Sequence, residues 1–148
     1  GGDGSKRLAL DEMRERHQLE ERVEMLGSVR HADVRSVLVR GDVFLNTSLT
    51  EAFCIAIVEA VSCGLLCVST AVGGVPEVLP AHMILLADAT PRDIVAKLLV
   101  AAQRAPHVDP HRVHAQVARM YRWADVAERT ERVYDRVTRA PRAPLAER

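Results

Sequence analysis

Residues 42–70, DVFLNTSLTEAFCIAIVEAVSCGLLCVST, decide the fold. Asp42 to Asn46 is a short apolar run that reads as a buried strand, and Thr47 to Glu51 reads as a turn. Ala52 to Ser62 has the composition of an apolar helix closed by Gly64, and Leu65 to Thr70 reads as the next strand, followed by the loop AVGGVPEVL. Strand, helix, strand in that order implies a parallel pair. The expected class is therefore α/β, a Rossmann-like parallel sheet flanked by helices.

Two glutamates, Glu51 and Glu59, lie eight positions apart in this stretch, and no Lys or Arg occurs between Arg40 and Arg92. Carboxylates there lack a sequence-local counter-charge. Burying one without a hydrogen-bonded partner costs several kcal/mol, so hydroxyls, backbone N–H groups, distant arginines or a ligand must satisfy it. Parallel sheets bind ligands at the carboxyl ends of their strands, where a helix N-terminus offers free N–H groups to phosphate. The backbone of Glu51 to Cys54 is thus a candidate phosphate cradle, and Glu59, two turns further in, is placed to accept vicinal ribose hydroxyls. Glu51, at the mouth, would repel a diphosphate and suits a neutral sugar hydroxyl better. A plainer alternative stands beside this one: Ser48 and Glu51 form S-x-x-E, a capping box that fixes a helix start and carries no ligand information, and Glu59 could reach an arginine elsewhere.

Longer phrases bear on that choice. NTSLTEAFCIAIVEAVSCG followed by VSTAVGGVPEVLP closely resembles the C-terminal domain of retaining glycosyltransferases built from two Rossmann-like domains, the GT-B architecture, whose signature is two glutamates separated by seven residues. With GGDGSKR, RVEMLGSVRHADVRSVLVRGDVFLNTSLTEAFC and WADVAERTERVYDRV, the chain resembles the family of catalytic subunits of phosphatidylinositol N-acetylglucosaminyltransferase, which start glycosylphosphatidylinositol (GPI) anchor synthesis. The resemblance implies UDP-GlcNAc as donor, phosphatidylinositol as acceptor, and partner subunits in a multi-subunit complex. It implies a location on the cytoplasmic face of the endoplasmic reticulum membrane, with membrane attachment through regions absent from this chain. It implies metal-independent transfer with retention, without a separate cofactor. It assigns Glu59 to the ribose hydroxyls, Glu51 to the transferred sugar as the catalytic position, and Ala52, Phe53 and Cys54 to backbone contacts with the diphosphate. Gly2 and Gly4 match its glycine-rich turn, with Lys6 and Arg7 the cations nearby. Ala71 departs from the arginine common in close relatives. Two other readings remain open, another nucleotide-sugar glycosyltransferase or a non-catalytic interaction module of the complex.

Composition sets wider bounds. At 148 residues and 48% hydrophobic, the chain can bury one substantial core, so a single domain over 1–139, including a C-terminal crossing helix, is expected, with a flexible tail over 140–148. The chain opens as though just after a strand that feeds the glycine turn. Gly2 and Gly4 alone do not make a dinucleotide fingerprint, because Lys6 and Arg7 stand where a third glycine belongs. No run approaches the roughly 18 apolar residues of a membrane-crossing helix. Residues 41–103 carry six acids against two bases, whereas 104–148 carry ten arginines against six acids. That basic excess suits a solvated helical face or an anionic surface, and the five aromatic residues give no interleaving that would argue for nucleic acid. Cys54, Cys63 and Cys67 are odd in number and lie in apolar contexts, which fits reduced packing thiols.

The remaining elements follow from pattern. Leu8 to Gln18 is helical, Val23 to Gly27 strand-like, Ala32 to Val39 a short helix, and Pro91 opens another helix to about Arg104. APHVDPHRVH, with His107, His111 and His114, reads as a surface loop and helix cap; two prolines and no Cys or paired acid argue against zinc. From about Val113 to Val137 a charged helical run sets Met120, Ala124, Ala127, Tyr134 and Val137 along one side, a packing stripe.

Overall fold

The computed structural model describes residues 2–140 and divides into two compact units, Gly1–Gly41 and Asp42–Arg148. The tail expected over 140–148 lies, apart from Ala140, outside the described residues.

The first unit holds helix α1 (Arg7–Arg16) and helix α2 (His31–Leu38). Along α1, Asp11 pairs with Arg7 at 3.8 Å and with Arg14 at 3.5 Å, the one-turn spacing that supports an exposed helix. The helix stops at His17, and Gln18 turns left-handed with φ 52°. Val23 to Gly27 does not enter a ladder. The Gly2 N–H reaches the Gly27 carbonyl at 2.5 Å, but a strand needs a run of paired groups, and the described residues supply no partner strand there.

The second unit is built on three parallel strands, β1 (Val43–Asn46), β2 (Leu66–Thr70) and β3 (Ile84–Ala87), in the order β1-β2-β3. Register places Asn46 opposite Ser69 and Thr70 opposite Ala87. Helix α3 (Ile55–Ser62) connects the first two strands; helices α4 (Pro91–Arg104), α5 (Pro110–Met120) and α6 (Trp123–Arg139) follow the third. Every residue of β2 is buried, as a central parallel strand covered on both faces requires. Its side chains alternate between two cores. Cys67 joins Ile57, Val61, Val75, Val78, Met83, Ile84 and Val117, while Leu66 and Val68 join Ala101 of α4. β3 was not anticipated: a four-residue apolar run is too short for periodicity to separate strand from loop, and pairing with β2 decides it.

Local chemistry starts α4 at Pro91, as expected, and α5 at Pro110, three residues before the expected Val113. Thr90 caps α4 through the Asp93 N–H, with Pro91 in the first turn, and Asp109 caps α5 by accepting from the N–H groups of His111 and Arg112. Gly64 ends the turn after α3 at φ +95°, and a Cβ there would lie 2.5 Å from Pro110, so the α5 start packs directly on it. The single helical run expected over 113–137 is two helices. Tyr121 leaves the helix and Arg122 is extended, because the tyrosine docks inward instead of continuing the stripe. Of that stripe only Met120 packs against the core; Ala124, Ala127, Tyr134 and Val137 are exposed, and α6 buries no residue among those described. No described helix is long and apolar enough to cross a membrane.

Cys67 gives the core a pH signature. Burial, with Cys54 nearby adding to it, pushes the Cys67 thiol up to about 12 from 9.0. A group whose folded pKa is raised contributes stability that is complete below the unfolded pKa and is lost as pH climbs toward the folded one. Urea unfolding should therefore show a decline above pH ~9 with a slope from this thiol of about 1.4 kcal/mol per pH unit. Cys67→Ala should remove that component; an identical alkaline slope in the variant would assign it elsewhere.

Candidate functional site

The carboxyl ends of β1 and β2 are joined by a polar ladder. Asn46 Nδ2 donates to Ser69 Oγ at 3.0 Å, Ser48 Oγ donates to Asn46 Oδ1 at 2.9 Å, and Thr70 Oγ1 donates to the Ser48 carbonyl at 2.5 Å. Ser69 and Thr70 are the buried polar residues among those described in this unit, and these bonds satisfy them. Ser48 is thereby committed to the ladder. It caps no helix, and α3 begins at Ile55, four residues beyond Glu51, so the S-x-x-E capping box does not form. The apolar run from Ala52 fails to start the helix because Cys54 adopts the left-handed conformation, φ 61° and ψ 77°.

That conformation has a cause in packing. The loop after β2 presses onto the loop after β1: a Cβ on Gly73 would sit 1.9 Å from the Glu51 carbonyl oxygen, and one on Gly74 2.0 Å from that of Ala52. Gly74 N–H donates to the Glu51 carbonyl at 3.1 Å. Only glycine fits, and Gly73 is also left-handed at φ +53°. The sequence carried a signal for this in the GG of AVGGVPEVL, which pattern reading treats merely as a loop.

Each expected site residue can now be placed. Glu51 is half-buried in the β1–α3 loop, its Oε1 accepting the Ala52 N–H at 3.1 Å. Ala52 and Phe53 are exposed, and Cys54 is half-buried at the N-cap of α3. Among the described residues no acceptor takes the N–H of Phe53, Cys54 or Ile55. Three successive free amides at the positive end of a helix are a ready anion site by chemistry. Glu59 is half-buried on α3, one turn in from Ile55 rather than two, since the helix starts late. Neither Glu51 nor Glu59 forms an ion pair among the described residues, so the distant-arginine alternative for Glu59 finds no support. Burial pushes the Cys54 thiol up, opposed by the amides of Ile57 and Ala56 and reinforced by the Glu51 carboxylate. It stays a thiol at neutral pH, a packing group rather than a nucleophile.

In the first unit, Gly2, Gly4 and Lys6 line a cavity of about 280 Å³ with Arg7, Leu10 and residues 24–27. Arg7 is engaged by Asp3 at 3.4 Å and Asp11 at 3.8 Å, whereas Lys6 forms no ion pair among the described residues. Lys6 is therefore the cation of that turn still free for an anion. The histidine segment lies at the amino ends of the second unit's strands: His107 lines a cavity of about 410 Å³ with Arg104 and Arg112, and His114 Nδ1 lies 2.8 Å from the Ser62 carbonyl.

The glycine pair yields a sharp expectation. Gly73→Ala should destabilise by about 1–3 kcal/mol from overpacking, with the left-handed backbone adding on the order of 1 kcal/mol. Gly4→Ala, with nothing within 4 Å of the added carbon, should stay within about 0.5 kcal/mol. Thermal unfolding of both variants checks the contrast, and equal shifts would contradict it.

The chain is similar to known proteins. A phosphatidylinositol N-acetylglucosaminyltransferase subunit of Arabidopsis thaliana is 57% identical over 148 residues, covering all of this chain and 33% of that protein. The corresponding Homo sapiens protein is 50% identical over 151 residues, covering all of this chain and 31% of its own length. The chain thus spans about a third of the relatives it matches. Anabaena HepE, solved with UDP and glucose, superposes with a TM-score of 0.72 at 21% identity over 90% of this chain and 39% of its own. The architecture is accordingly part of a GT-B fold. The profile described as "Glycosyl transferases group 1" matches residues 1–104. With its paired glutamates on a parallel β-α-β unit, the chain belongs to the group 1 glycosyl transferases.

Proposed function

We propose that this chain is the donor-binding part of a retaining glycosyltransferase that moves GlcNAc from UDP-GlcNAc to phosphatidylinositol, the first step of GPI anchor synthesis. The observation that carries the reading is identity of 50% or more, along the entire chain, to proteins bearing that activity in their names. In this proposal the enzyme works with other protein chains at the cytoplasmic face of the endoplasmic reticulum membrane. No separate cofactor takes part.

The roles proposed for each residue are those the family resemblance implies, and the placement of the residues supports them. Glu59, one turn inside α3 and in no ion pair among the described residues, accepts the two ribose hydroxyls, a pair of charge-assisted bonds that compensate its half-burial. The free amides of Phe53, Cys54 and Ile55 receive diphosphate oxygens without requiring a lysine or arginine in residues 42–91, and the Ala52 N–H joins them only on release from Glu51 Oε1. Glu51, whose Oε1 is tethered to the Ala52 N–H, presents its other oxygen to the transferred sugar, where charge develops as UDP departs. Lys6, with Gly2 and Gly4, is a separate candidate contact for phosphate charge within the first unit.

Two measurements test the assignments. Glu59→Gln should weaken UDP binding by about 1.5–3 kcal/mol while the protein stays folded, the range for a hydrogen bond to a charged group. Calorimetric titration reads it directly, and undiminished UDP affinity in a folded variant would sink the role. Glu51→Gln in the full-length enzyme should instead lower turnover at least tenfold, about 1.4 kcal/mol in the barrier, with UDP affinity nearly unchanged. Normal turnover there would remove Glu51 from the chemistry.

A further inference from the structure

The break at Tyr121 brings a residue far along the chain against both loops of the candidate site. Its ring meets Phe53 edge-on, with centroids 5.5 Å apart and planes at 74°. Its hydroxyl donates to the carbonyl of Val78, just after the glycine pair, and the side chain packs on the core cluster of Ile57, Val75 and Val78. Burial holds the phenol above its ordinary range, Arg129 opposing, so it remains a donor throughout the neutral range.

We propose that Tyr121 is a positioning residue for the donor site, clamping the Phe53 loop to the segment after Gly74 so that the free amides at 53–55 are in place before a nucleotide arrives. The loop needs such a clamp. Its polar ties to the β2 side, Thr70 to Ser48 and Gly74 to Glu51, end at Glu51; beyond it the bonds of Ala52 N–H to Glu51 Oε1 and of Ile57 N–H to the Cys54 carbonyl are local, Cys54 is left-handed, and the amides of Phe53, Cys54 and Ile55 have no acceptor among the described residues. A backbone held in a sparsely populated conformation persists only where its surroundings over-determine it. Cys54 packs on the core, and the Phe53–Tyr121 contact adds a constraint at Phe53; preorganisation of this kind raises affinity by lowering the ordering cost of binding. The proposal rests on the reading that residues 51–59 hold a nucleotide sugar.

Amide exchange and UDP calorimetry on Tyr121→Leu and Tyr121→Phe separate clamping from simple packing. In Tyr121→Leu, exchange should accelerate at Gly74, bonded to Glu51, at Ile57, bonded to Cys54, and at Val78, while Cys67 in the central strand is unchanged. UDP should bind at least about tenfold more weakly. Tyr121→Phe keeps the ring and loses only the hydroxyl's bond to the Val78 carbonyl, so exchange at Gly74 and Ile57 should stay at the unaltered rate and UDP affinity should hold within about twofold. In Tyr121→Leu, uniform acceleration including Cys67, no acceleration, or loosened loops with unchanged UDP affinity would each overturn the proposal. If the unaltered chain binds no UDP, the nucleotide reading fails on its own and the donor-site role falls with it, while the exchange pattern still shows whether Tyr121 clamps the two loops.

Discussion

Two loops at the carboxyl ends of β1 and β2 lie so close that no side-chain carbon fits between them at Gly73 and Gly74. Much of the site's local geometry depends on this contact. It fixes the Glu51 carbonyl through the Gly74 N–H, and the backbone that continues from Glu51 reaches α3 through a left-handed cysteine. The helix consequently starts at Ile55, and the amides of Phe53, Cys54 and Ile55 have no acceptor among the described residues. A helix starting at Ala52 would bond the Ile55 N–H to the Glu51 carbonyl and shift the free amides one residue back along the chain.

The parallel sheet explains why polar side chains can be buried there at all. β2 has both faces covered, so Ser69 and Thr70 are removed from water and must find partners in the protein. They find them across the strand ends, in Asn46 and the Ser48 carbonyl. The same bonds that satisfy buried hydroxyls also hold the loop that carries Glu51. Negative charge is tolerated at this end because Glu51 and Glu59 are only half-buried and the N-terminal amides of α3 lie close by in the chain.

Pattern reading reached the β-α-β unit, the helix at Pro91–Arg104 and a helix cap within APHVDPHRVH because each has a local cause, apolar period or proline in the first turn; that Asp109 is the capping residue came from the structure. It placed the start of α3 three residues early and missed β3. Helix propensity favoured Ala52 as a start, but tertiary packing at Gly73 and Gly74 overrode it. MILLA carries no periodic signature, and only pairing with β2 makes it a strand. The run over 113–137 read as one helix because the inward turn of Tyr121 serves contacts with Phe53 and Val78, residues 68 and 43 positions away.

The sequence by itself determined the α/β class, the glutamate spacing, the acid-rich middle without Lys or Arg between 41 and 91, and the family resemblance, since each is a property of neighbouring residues or of ordered phrases. Tertiary structure alone decided that Ser48 belongs to a strand-end ladder and not to a helix cap, that Glu59 stands one turn inside its helix, that Arg7 is neutralised while Lys6 is free, and that Tyr121 touches both site loops. The reason is physical: capping, ion pairing and ring contact are short-range interactions, and the groups that compete for Ser48, Arg7 and Tyr121 become neighbours only when the chain has folded.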